Sequence, residues 1–124
     1  MNRLYSIFII FCATNSFFSI GLADVLLERG STWKFLKGSE SSGDWPTMDF
    51  GSLDWPSGNA PFRYGDGQGG TLLRDMPGRY SVVYLCREFE VQDVSKYSVL
   101  DLLVNFDDGF IVWINGHRVI EQNP

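Results

Sequence analysis

The sequence predicts an all-β fold, a sandwich or barrel of five or six short strands, and three observations carry that expectation. Ser81 to Val91 alternates: Val83, Leu85, Phe89 and Val91 fall on one side with Arg87, and Val82, Tyr84, Cys86, Glu88 and Glu90 on the other. Asn115-Gly116 stands between two β-prone runs, the strongest short-range hairpin signal, because a type I′ turn needs positive φ at both central residues. No segment carries an apolar helical stripe longer than a turn.

Taken in order, residues 1–23 read as a secretory signal peptide. Arg3 supplies the positive start, Ile7 to Cys12 begins the apolar stretch, and Gly21 and Ala23 are the small residues before a cleavage at Asp24. Asn15 and Ser16 interrupt the apolar run too early for comfortable membrane spanning. Residues 24–30 form a short linker, and the domain proper runs from 31 to 124. Ser31 to Leu36 is the first strand, ended by Lys37-Gly38. Residues 38–70 show no sustained period. They are rich in Gly, Ser, Asp and Pro, and Trp45, Phe50, Trp55, Phe62 and Tyr64 mark them as an ordered loop with aromatic plugs.

Beyond the Ser81–Val91 strand, residues 92–97 are a polar connection, and Val99 to Asn105 is the next strand, with Leu100, Leu102 and Val104 toward the core. The closing hairpin follows. With a two-residue turn, Ile114 faces His117, Trp113 faces Arg118, Val112 faces Val119 and Ile111 faces Ile120. Phe110, Val112, Ile114 and Val119 then share one face, and Ile111, Trp113, Arg118 and Ile120 the other. A hairpin apolar on both faces belongs in the middle of a sheet and needs strands on both sides. A complete jelly roll has eight strands, so the domain is expected to be incomplete at its C-terminus.

The part after residue 23 carries nine basic residues against fifteen acidic ones. That acidic balance, with no basic stripe, argues against nucleic acid and against an anionic membrane surface once the leader is gone. Cys86 is the one cysteine left after cleavage, so no internal disulfide framework supports this export, and Cys86 reads as a small buried hydrophobe.

Two runs together resemble a known family. Trp45, Met48-Asp49-Phe50, then Asp54-Trp55-Pro56-Ser57-Gly58-Asn59-Ala60-Pro61-Phe62-Arg63-Tyr64-Gly65 precede the strand Tyr84-Leu85-Cys86-Arg87-Glu88-Phe89. Later come Asp107-Asp108-Gly109 and Val112-Trp113-Ile114-Asn115-Gly116. This resembles the galactose-binding-like β-sandwich (jelly-roll) accessory domains of secreted bacterial multidomain proteins, which are similar to the sugar-binding domains of family-two glycoside hydrolases. The pattern departs at Cys86, where the family often has Arg. The resemblance implies a fold and a non-catalytic accessory role, and no particular set of binding residues.

Chemistry-bearing residues are few. Gly65-Asp66-Gly67-Gln68-Gly69-Gly70 satisfies G-x-G-x-x-G in letters, but no strand precedes it and no helix follows, so it reads as a turned loop. Asp107-Asp108 has three readings: acceptors for turn N–H groups, ligands of a structural calcium ion with Asp66, or, least well supported, an acid–base pair. Calcium is the only cofactor suggested. His117, the single histidine, lies at a hairpin tip, and neither a zinc motif nor a G-x-S-x-G elbow is present. Trp113 opposite Arg118 can form a cation–π pair, or can stack on a sugar ring while the guanidinium binds hydroxyls. Trp45 and Trp55 are alternative sugar platforms.

The function expected from the sequence is a secreted, non-catalytic module, extracellular or periplasmic, that binds carbohydrate or holds downstream domains of the same chain. The alternative is the accessory part of an extracellular hydrolase whose catalytic domain lies further along.

Overall fold

The structure, a computed structural model, describes the backbone of residues 3–11 and residues 24–38 and 49–124. Eight strands are described: β1 (Arg3–Phe11), β2 (Thr32–Lys37), β3 (Ser57–Asn59), β4 (Phe62–Arg63), β5 (Thr71–Leu72), β6 (Val83–Val91), β7 (Phe110–Ile114) and β8 (His117–Gln122). Among the described residues helix is limited to single 3-10 turns at Phe50–Ser52 and Val94–Lys96. The fold is all-β. Six strands make one open antiparallel sheet in the order β3-β2-β6-β1-β7-β8, and β4 and β5 make a small parallel pair. Among the described residues no helix is long and apolar enough to cross a membrane.

The alternation of β6 gives the large sheet two apolar faces. Val83, Leu85, Phe89 and Val91 join Trp33, Phe62, Leu73, Met76, Phe110 and Val112 in the main core. The opposite face carries Cys86 and Leu53, packed by Trp55, Tyr84 and Trp113. Cys86 is fully buried, as expected of a small hydrophobe. Burial first, and then the charge of Glu88, push its thiol up to about 12, so it stays protonated near neutrality. Lys34 reaches across this face and donates from Nζ to the Leu53 carbonyl at 2.7 Å.

Two expected strands are present almost as read, at β2 and β6, and the Asn115-Gly116 turn has the required positive φ values of 50° and 79°. Three expectations are corrected. First, the pairs Ile114–His117 and Trp113–Arg118 form, but a bulge between Val112 and Trp113 shifts the remainder, so Val112 faces Ile120 and Ile111 faces Glu121. Second, the hairpin is not central: β8 is the sheet's edge and is exposed throughout. Third, residues 99–105 form no strand, because the open sides of β6 and β7 are both taken by β1. Leu102, Val104 and Phe106 still pack on the main core, while Val99 and Leu103 are 70% and 78% exposed.

The loop expected over 38–70 is ordered where it is described, and it contains short strands. β3 pairs with β2, and the parallel β4–β5 contact pins Phe62 into the core. Trp45 lies outside the described residues. A long-range tether closes the other end: the Tyr97 hydroxyl donates to the Asp24 carboxylate at 2.6 Å.

Candidate functional site

The segment after β5 turns twice around Pro77-Gly78 before entering β6. Gly78 has φ +74°, which the turn requires and glycine supplies without a Cβ penalty. Backbone bonds from Met76 N–H to the Leu73 carbonyl, and from Arg79 and Tyr80 N–H to the Met76 carbonyl, hold the turn in shape. Its Asp75 accepts from Lys37 Nζ at 2.7 Å and from the Tyr80 hydroxyl at 2.9 Å, which clamps the turn onto β2. The Lys37 hydrogen bond first, and the Tyr80 bond next, hold the Asp75 carboxyl below its ordinary range.

A depressed carboxylate stabilises the fold above its unfolded value of about 3.9 and ceases to as pH falls through its lower folded value. Stability is therefore expected to drop on acidification below about pH 4, and Asp75→Asn to make that part of the profile flatter. Urea midpoints between pH 2.5 and 6 measure the difference. Superimposable profiles for the two proteins would rule the clamp out.

Beside this turn lies a cleft of about 200 Å³, lined by Tyr64, Met76, Pro77, Tyr80, Ser81 and Asp108. Three separate stretches build it: the residues after β4, the Pro77-Gly78 turn, and the bend before β7. Asp108 has φ 70°, a left-handed conformation that Asp tolerates better than most residues. The Asn123 side-chain amide donates to the Asp108 carbonyl at 3.4 Å. The cleft thus combines two phenol rings, apolar Met and Pro surface, a hydroxyl and a carboxylate.

The residues singled out from sequence are distributed differently. Asp108 alone among them lines the cleft. Among the described residues no three His, Cys, Asp or Glu side chains gather as a ligand set, so a cation near Asp107 and Asp108 would depend on backbone carbonyls and water. Trp55 and Trp113 do come together, half-buried over Cys86 and Leu53 on the opposite sheet face, which is a packing arrangement. Arg118 pairs with Glu121 three residues on, across from Trp113 in the register. His117 is exposed at the hairpin tip. Tyr80, Ser81 and Met76 were missed by sequence reasoning; Pro77-Gly78 was the available signal, a turn dipeptide flanked by large side chains. Comparison with protein-family models, with curated proteins and with solved structures returns no match to this chain.

Proposed function

We propose that this chain is a secreted, non-catalytic module of a larger extracellular protein, a galactose-binding-like jelly roll that binds carbohydrate. The observation that carries the reading is the cleft of Tyr64, Tyr80, Ser81 and Asp108. A sugar ring has an apolar C–H face and a rim of hydroxyls. A tyrosine ring suits the first, and a carboxylate and a hydroxyl suit the second. At about 200 Å³ the cleft is smaller than the roughly 300–1,000 Å³ of sites that engulf drug-sized ligands, so it fits one ring or a chain end. The mature charge balance, acidic with no basic stripe, agrees with a neutral ligand better than an anionic one.

A glycan array followed by calorimetry on the full chain tests this. Tyr64→Ala is expected to weaken binding of any sugar found by about tenfold, the loss of roughly 1.4 kcal/mol of ring contact. If no sugar binds at millimolar concentration, the module is a scaffold for neighbouring domains. If binding survives Tyr64→Ala unchanged, the site is elsewhere, and the Trp55–Trp113 face is the next to test.

A further inference from the structure

β1 is antiparallel to both β6 and β7, so β6 and β7 are parallel to each other with one strand's width between them. Within that gap their residues are level in pairs: Val83 with Phe110 beside Phe11, Leu85 with Val112 beside Ile9, Cys86 with Trp113 beside Phe8, and Arg87 with Ile114 beside Ile7. Any occupant must run opposite to both neighbours. The chain between β6 and β7 does so by a plain up-down-up path, without a crossover.

Residues 98–106 match the gap in length, and 101–106 match it in face, while Leu100, expected toward the core, is 56% exposed. Leu102, Val104 and Phe106 already pack on the main core, while Asp101, Leu103 and Asn105 between them are exposed, the two-residue period of a strand. Phe106 and Phe110 are already in edge contact, with centroids 4.5 Å apart. Setting these two opposite each other brings Val104 level with Val112 and Leu85, and Leu102 level with Ile114 and Arg87. Leu103, now 78% exposed, comes level with Cys86 and Trp113 and enters the second apolar cluster. The connections left over are Asp107-Asp108-Gly109 on one side and 92–97 on the other, three and six residues, both common hairpin or loop lengths. A slip of one residue would turn Leu103 to the wrong face, so the register is well specified. The one unfavourable neighbour is Asp101 beside Glu88, a like-charge pair on the outer face.

We infer that residues 98–106 are the mature middle strand of this sheet, and that Arg3–Phe11 holds their place only until it is removed. This rests on the reading of residues 1–23 as a cleavable leader. The two strands claim the same edges of β6 and β7, so one excludes the other. The leader then acts as a placeholder that keeps the precursor's sheet in register, and its loss lets the chain close its own meander.

The test uses the full chain made in two ways, retained in the cytoplasm with residues 1–23 or exported. The mass of each product shows whether it begins at Asp24. In the leader-bearing chain, hydrogen exchange is expected to protect the amides of 3–11 and to leave 99–105 open. In the exported chain, 99–105 is expected to exchange about a hundredfold more slowly, like β6 and β7. A second variant, Leu103→Cys in a Cys12→Ser background, is expected to form a disulfide with Cys86 under oxidising conditions only after the leader is gone. Directly opposed strand residues have Cα atoms roughly 4.5–5.5 Å apart, within disulfide range. Free exchange at 99–105 beside protected β6 and β7 in the processed chain overturns the inference. So does loss of protection in β6 and β7 themselves, since the vacated gap was then not refilled. An exported product that keeps residues 1–23 overturns the cleavable-leader reading, and the exchange falls with it, while sugar binding is read independently.

Discussion

Phe62→Ala is expected to lower the unfolding free energy by about 3–5 kcal/mol. The ring is 3% exposed and lies tilted against Phe35, with centroids 5.2 Å apart. It joins the two-strand pair β4–β5 to the face of the large sheet, in a cluster with Trp33 and Leu73. Removing it deletes the burial of a whole aromatic side chain and leaves a cavity that flanking β-structure closes poorly. Since a domain this size has about 5–15 kcal/mol in all, the variant approaches the limit of folding. Phe62→Leu keeps most of the apolar volume and is expected to cost less than half as much. Urea unfolding of the three proteins measures the series. A loss under about 1 kcal/mol for the alanine variant would show that this ring does not anchor the corner.

The second large effect is expected at Gly70, where Ala should destabilise by about 2 kcal/mol or more. Two causes combine. Gly70 has φ +66°, a conformation that costs an L-residue roughly 1–2 kcal/mol. A Cβ there would also run into the backbone carbonyl of Pro61, so relief requires moving main chain rather than turning a side chain. Thr71 N–H donates to that same Pro61 carbonyl at 2.8 Å, and the displacement would loosen the start of β5. Gly69 has nearly the same φ, +73°, with open space around it. Gly69→Ala therefore separates the conformational cost from the clash. Thermal melts of both variants give the comparison, and equal losses would leave only the dihedral cost in play.

Much of the fold can be read from the residues. The Asn115-Gly116 turn, the alternation of β6 and the first strand are set by local chemistry that depends little on what lies next to them. The bulge in β7–β8 has no such signature: Val119 and Ile120 are both apolar, so either register looks acceptable until the sheet is assembled. β3, β4 and β5 are Ser-Gly-Asn, Phe-Arg and Thr-Leu, two or three residues long and too short for a period. Their pairing is set by Gly70 approaching Pro61 and by Phe62 finding the core, both contacts between distant parts of the chain. Residues 99–105 teach the opposite lesson. Their alternation is plain, but alternation names a face and cannot name a partner, and β1 holds the partners. Of the cleft's residues the sequence marked Asp108 alone as a candidate, because three stretches far apart in the chain make the cleft.

The hydrogen bond from Tyr97 to Asp24 has a chemical consequence. The phenol's pKa is raised, first by the hydrogen bond to that carboxylate and further by its negative charge. If the chain is cut before Asp24, a free α-amino group appears on that same residue. Near neutrality its positive charge competes with the phenol for that carboxylate, so the Tyr97 tether is expected to be weaker in the cut chain, whereas in alkali the amine loses its proton before a tyrosine does. Tyr97→Phe is therefore expected to cost the uncut chain more stability at about pH 7 than the cut one, and urea midpoints of the four proteins measure the difference.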